Sequence, residues 1–219
     1  MSDSWWDPEG DFKPLHGMNP IRLDFIRDQV CAQFGLKVID VGCGGGLLAE
    51  PLFRMGGTIT GIDAGSAAIT AAREHAAFQG FEIDYRATTS DVLAAEGAQF
   101  DVVTAMEVVE HVADVPAFIT SLSALLAPGG IVIISTINRT ARSYLSAIAG
   151  AELVMRWLPR GTHDWNKFPT PTELAANLEE SGLKVVDETG FHYSLLADRW
   201  SRTEDLSVNF ALVAEKNNP

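Results

Sequence analysis

Two cysteines in 219 residues are too few for a disulfide framework, and neither Cys31 nor Cys43 sits in a Cys-x-x-Cys or Cys/His array of the kind that builds a zinc site. A reducing compartment is expected. Positive charge is scarce as well. The 16 Lys and Arg stand against 29 Asp and Glu, and a net charge of −13 repels polyphosphate, which argues against nucleic acid as substrate. No stretch approaches the roughly 20 apolar residues of a membrane span. The first twenty residues are acidic, with neither the apolar core of a secretion signal nor the Arg-rich pattern of a transit peptide, so no export or organelle signal is expected. No repeat, low-complexity tract or linker divides the chain, so one domain over residues 1–219 is expected.

What is present is a sequence rich enough in apolar residues, at 47%, to bury a sizeable core without staples. Short β-branched runs at 38–42, 58–63, 81–85, 100–106 and 130–136 alternate with longer helix-like stretches. Strands separated by helices predict parallel pairing in a doubly wound α/β sheet, here mostly parallel and seven-stranded. Beyond Asn138 comes a long insertion to about Lys167, then a helix from near Pro171 to Gly182. The strand-like LKVVDET and LSVNFALVAE that follow predict an antiparallel C-terminal hairpin at one edge.

The first strand runs into Gly42-Cys-Gly44-Gly45-Gly46-Leu47 and then a helix. Glycines there let the backbone approach a ligand where a Cβ would clash. A dinucleotide fingerprint would need glycine at Leu47, which argues against a nicotinamide cofactor. The second strand ends in Gly61-Ile-Asp63, and a carboxylate at that strand tip can accept both ribose hydroxyls of a nucleoside; the alternative is a helix N-cap. Thr88–Asp91, after the third strand, either meets an adenine amine or caps a helix.

Taken together, DVGCGGG, GID, FDVVTAMEVVEHV and LLAPGG resemble the Rossmann-like S-adenosylmethionine (SAM) methyltransferases. WWDPEGDFKPLHGMNPIRLDFI, STINRTARSY and GTHDWNKFPTPTEL narrow the likeness to the ubiquinone-biosynthesis O-methyltransferases, over essentially the whole chain. The resemblance implies methylation of polyprenyl catechols at both O-methylation steps. In it Arg22 pairs the methionine carboxylate of SAM, Gly42 and Gly44 take its close approach, Asp63 the ribose, and Met106 lines the sulfonium region. Without the family, Arg22 reads as a solvated helix residue and Met106 as a core side chain.

Glu107, Glu110 and His111 follow the fourth strand at i, i+3 and i+4, which on a helix would share one face beside the methyl group. Two carboxylates and an imidazole suit a divalent ion, and Mg²⁺ chelated by a catechol would supply both acidity and alignment; the resemblance implies the same requirement. Two alternatives stand beside it: a metal-free site with His111 as general base, and an acidic helix start with a capping His.

The insertion over 139–167 reverses the charge of the chain. Arg139, Arg142, Arg156, Arg160 and Lys167 face only Glu152 and Asp164. Tyr144, Leu145, Ile148, Trp157 and Leu158 help make its helical part apolar on most sides, and Trp157, Trp165 and Phe168 are aromatics suited to an interface. This suits a lid over the site, or a lid that also lies on anionic lipid, which would place the protein on the cytoplasmic side of the inner membrane as a peripheral protein. Gly161–Asp164 lines the acceptor pocket or forms a turn. The resemblance adds other ubiquinone-biosynthesis proteins as partners. The competing functions are a SAM methyltransferase for a soluble phenol or carboxylate, and a non-catalytic SAM-binding subunit.

Overall fold

The computed structural model describes residues 2–30, 35–143 and 168–217. Its sheet grows from five strands, each returned by intervening chain: β1 (Lys37–Val41), β2 (Thr58–Asp63), β3 (Asp84–Ala87), β4 (Phe100–Met106) and β5 (Leu126–Ile137). The pairs β1–β2, β1–β4, β2–β3 and β4–β5 are all parallel. Helices α3 (Ala49–Arg54), α4 (Ser66–Gln79), α5 (Ser90–Ala95) and α6 (Val115–Leu125) lie along the crossovers, and α1 (Ser2–Trp6) and α2 (Lys13–Gln29) precede β1. After the short turn α7 (Ala141–Ser143) and helix α8 (Pro171–Glu180), strands β6 (Leu183–Ser194), β7 (Arg199–Thr203) and β8 (Asn209–Lys216) complete the order β3-β2-β1-β4-β5-β8-β6-β7.

The predicted mostly parallel α/β sheet is therefore present, with two differences. Among the described residues there are eight strands, and the hairpin at the edge is β6–β7, while β8 lies inside between β5 and β6. Arg-Trp-Ser-Arg-Thr of β7 has little apolar alternation to announce it, because an edge strand can leave most side chains in water. The third strand begins at Asp84 rather than 81, since the Phe81 amide is still bonded to the Ala76 carbonyl at the end of α4.

Two apolar clusters sandwich the sheet. One joins Ile39, Val41, Val103 and Ile134 to Ile119 and Leu122 of α6 and Leu174 and Leu178 of α8. The other joins Val38, Val102 and Met106 to Phe25 and Ile26 of α2, Leu52 of α3 and Ile69 of α4. Alternation along β1 and β4 thus gives each strand two buried faces, as parallel strands require. Helix α8 starts where the sequence indicates. Thr170 accepts the Glu173 amide, and Glu173 accepts the Thr170 amide in return, a reciprocal cap placed one residue before Pro171.

Candidate active site

Strands β1 and β4 are neighbours whose chains leave in opposite directions across the sheet, so their carboxyl ends open a crevice. A cavity of about 1130 Å³ occupies it, above the usual range for a single small ligand and large enough for a cofactor and an acceptor together. Arg22, Gly42, Gly44, Asp63, Met106, Glu107, Glu110 and His111 all line this one cavity. Thr88–Asp91 lines it as well.

The glycine turn is held at the tips of β1 and β2. The Gly42 and Cys43 amides both donate to the Ile62 carbonyl, and the Gly44 amide donates to Asp63 Oδ2 at 3.1 Å. Asp63 Oδ1 takes the Gly65 amide at 2.7 Å, so the carboxylate is fixed in orientation with lone pairs left over. Gly42 has φ +74°, and a Cβ there would lie 2.4 Å from Val108 Cγ2. Gly42 is required both by its conformation and by the chain leaving β4.

Arg22 is not a solvated helix residue. It is buried on α2, with Nη2 3.2 Å from Glu107 Oε1. That contact lacks hydrogen-bond geometry, and both Nε and Nη2 are buried without an acceptor. Nearby, Asp40 on β1 accepts the Thr104 hydroxyl on Oδ1 at 2.8 Å, while Oδ2 is buried and bare. Burial pushes the Asp40 carboxyl up to about 7, against the pull of Thr104 and Arg22, with the charge of Asp63 adding to the rise.

Glu107, Glu110 and His111 do share the cavity but not a helical face. Glu107 continues the β4 ladder, its amide bonded to the Ser135 carbonyl, and then turns at φ +59°; Val109–His111 is a single 3-10 turn. The chain must leave the sheet edgewise at this tip, and α6 starts only at Val115, capped by Asp114 rather than by His111. Glu107 Oε1 accepts the Ser135 hydroxyl at 2.7 Å, and Glu110 Oε2 accepts the Thr136 hydroxyl at 2.9 Å. Glu110 is pushed up to about 8, first by burial and then by the charge of Glu107. His111 is exposed at the cavity rim. Among the described residues, no three His, Cys, Asp or Glu side chains converge closely enough to hold a metal ion as they stand.

Three contributors to this cavity were not anticipated. Asp40 had a signal, a lone acid inside an apolar strand. Trp5 and Phe12 stack on one another at 3.8 Å along the wall, and the β6–β7 hairpin adds Tyr193 and Trp200. Only tertiary packing brings these aromatics to the site. Of the basic insertion, residues 144–167, including Tyr144, Arg156, Trp157, Arg160, His163, Trp165 and Lys167, lie outside the described residues, as does Cys31. Its two described arginines are paired, Arg139 with Glu173 and Arg142 with Asp205, which offsets part of the local positive charge. No described helix is long and apolar enough to cross a membrane.

Comparison with known proteins bears on the family and the fold. Residues 19–188 match the family model described as a methyltransferase domain. A ubiquinone biosynthesis O-methyltransferase from Brucella anthropi is 50% identical, covering 99% of this chain and 92% of the relative. One from Dinoroseobacter shibae is 51% identical, covering 96% and 90%. Among solved structures, the fold is shared with the magnesium protoporphyrin IX methyltransferase of Synechocystis PCC 6803 with bound SAH, at a TM-score of 0.66, 17% identity and coverage of 92% and 83%. The same protein with bound SAM gives 0.63 at 18% identity, with coverage of 92% and 79%.

Proposed function

This chain belongs to the ubiquinone biosynthesis O-methyltransferases, and from that premise we propose that it methylates catechol hydroxyls of polyprenyl intermediates at both O-methylation steps of ubiquinone biosynthesis. It is a SAM-dependent O-methyltransferase. The observation that carries the cofactor half is the pair of buried, unsatisfied groups in the cavity, Arg22 Nε and Nη2 beside Asp40 Oδ2. A buried guanidinium with two nitrogens lacking a hydrogen bond and a buried carboxylate oxygen lacking a donor suit the two charged ends of the methionine moiety. Asp63, fixed by two backbone amides, offers its remaining lone pairs to the ribose hydroxyls, and Met106 borders the sulfonium end. SAM supplies the electrophilic methyl group.

On the acceptor side, Glu107 and Glu110 repel one another and share the cavity with His111; carboxylate oxygens are of the kind a hard divalent cation such as Mg²⁺ takes, although the three side chains do not converge on one point as they stand. Such an ion would make a catechol more acidic and hold both of its oxygens. The chain's own part is to fix Glu107 through Ser135 and Arg22 and to fix Glu110 through Thr136. The whole chain acts as one methyltransferase domain. The segment over 139–167 serves as the lid that admits the prenyl tail and rests on anionic lipid at the inner membrane, where other ubiquinone-biosynthesis proteins act.

The reading is tested with labelled SAM and a short-chain prenyl catechol on metal-stripped protein, with and without added Mg²⁺. Activity only with metal supports the ligand set of Glu107, Glu110 and His111. Metal-independent turnover assigns proton removal to His111 or Glu110 instead. Flotation with anionic liposomes tests the lipid contact, and failure to float would leave the segment as a lid alone.

A further inference from the structure

We propose that Trp6 and His75 form a catch that holds α1 across the glycine turn, making them positioning residues for the cofactor pocket. This rests on the assignment of that pocket to SAM. The Trp6 indole stacks on the His75 imidazole with centroids 3.6 Å apart and planes within 7°. Its Nε1 donates to the Gly45 carbonyl at 3.1 Å. His75 lies on α4, and its Nδ1 is hydrogen-bonded at 2.7 Å to Oε1 of Glu50 on α3, whose side chain is fully buried. One aromatic contact therefore ties α1 to the glycine turn, to α3 and to α4, the elements that surround the cofactor end.

The adjacent residue shows what the catch positions. A Cβ on Gly44 or on Gly45 would lie 2.5 Å from the Trp5 ring, so Trp5 rests directly on the turn. It stacks on Phe12, its carbonyl is met by His16 Nε2 at 2.9 Å, and both Trp5 and Phe12 wall the cavity. Helix α1 has five residues, far below the length at which a helix is stable on its own, so its place depends on these contacts. With the catch closed, Trp5 covers the side of the pocket next to the turn. With it broken, α1 loses its hold on α4 and the wall is no longer fixed.

Neither Trp6 nor His75 lines the cavity itself, so the signature is a split between cofactor binding and turnover. An aromatic pair and one hydrogen bond together correspond to about a tenfold loss of affinity. In calorimetry and stopped-flow dissociation, Trp6→Ala and His75→Ala are each expected to weaken SAM about tenfold and speed its release, with kcat at saturating SAM within about twofold of wild type. The double variant should fall well short of the sum of the two single losses, because both break the same stacking contact. Trp6→Phe, which keeps a ring over His75, should recover most of the loss. Trp6→Ala leaves the His75–Glu50 pair intact, and so tests the catch without stranding a buried carboxyl. Wild-type affinity and release rate in Trp6→Ala, additive effects in the double variant, or a fall in kcat with unchanged SAM affinity would each overturn the catch. Failure of the wild-type protein itself to bind SAM would overturn the pocket assignment together with it.

Discussion

The two halves of the cavity treat their polar atoms differently. In the half around β1, Arg22 Nε and Nη2 and Asp40 Oδ2 are buried without a hydrogen-bond partner, although Nη2 also lies 3.2 Å from Glu107 Oε1. At the acceptor end, Glu107 and Glu110 are buried or nearly so, yet each already receives a hydroxyl, from Ser135 and Thr136. An unsatisfied buried polar atom costs about 1–3 kcal/mol, so the first half holds a cost that a ligand with complementary charges recovers on binding. The second half holds its carboxylates in place but leaves a charge problem, two acids in one low-dielectric space. On the proposed assignment, the first half suits a ligand of fixed complementary charge and the second a step in which charge changes.

The strongest way to break this comparison is Gly42→Ala. Its Cβ would need both a left-handed backbone and movement of Val108, and strain of roughly 3 kcal/mol corresponds to about a hundredfold loss in SAM affinity. Calorimetric titration with SAM measures this directly. A change of less than about threefold would mean that the turn does not hug the cofactor. Arg22→Lys comes next. It keeps a positive charge near Glu107 but loses the fork, and loss of a charge-assisted hydrogen bond of about 2 kcal/mol predicts SAM binding weakened by roughly thirtyfold. Because Glu107 keeps a cation nearby, kcat should fall far less than SAM affinity. An equal fall in both would place Arg22 in the acceptor half.

The sequence made the cofactor half legible because its signals are local. A strand, four glycines and an acid at the next strand tip lie within 38–63, and parallel topology brings consecutive strand ends together. Asp40 escaped because a buried acid inside a strand gains meaning only when Arg22, from a helix before it, is seen nearby. In the acceptor half the expected residues line the cavity, but with a geometry other than the expected one. Spacing of i, i+3 and i+4 implied a helical face, but the chain first has to leave β4, so Glu107 turns with positive φ and Glu110 folds inward toward Thr136 of β5. Such a contact between a turn and a strand, 26 residues apart, has no periodicity to betray it. The charge reversal of the insertion was plain in the sequence, whereas the pairing of Arg139 and Arg142 with acids 34 and 63 residues downstream was not.

Thr136→Val probes the acceptor half more gently. Removing the hydroxyl takes away one of the contacts that hold the Glu110 carboxyl down, so it should rise further above about 8. If Glu110 must be ionised for turnover, the rising limb of the kcat/KM profile moves toward alkaline pH by under about one unit, while SAM affinity is unchanged. A profile that does not move shows that Glu110 ionisation does not limit the reaction.

The smallest expected effect concerns the fold itself and separates the two halves by pH. Asp40 is raised from 3.8 to about 7 and Glu110 from 4.5 to about 8 in the folded protein. Between those limits the unfolded chain has released its protons and the folded chain has not. Stability from both groups is therefore whole at low pH and declines as pH rises through about 4 to 8, levelling off above. Asp40→Asn removes one share of that decline, since the amide oxygen can still accept the Thr104 hydroxyl and carries no charge at any pH. Its melting temperature should match wild type near pH 4 and exceed it by a few °C, on the order of 5, near pH 8. SAM should reverse the ranking at pH 8: in wild type a ligand ammonium meets the ionised Asp40 and lowers its cost, whereas in Asp40→Asn it meets a neutral amide. A SAM-induced rise in melting temperature equal in the two proteins would show that Asp40 is a structural burden of β1, and that Arg22 alone distinguishes the cofactor half.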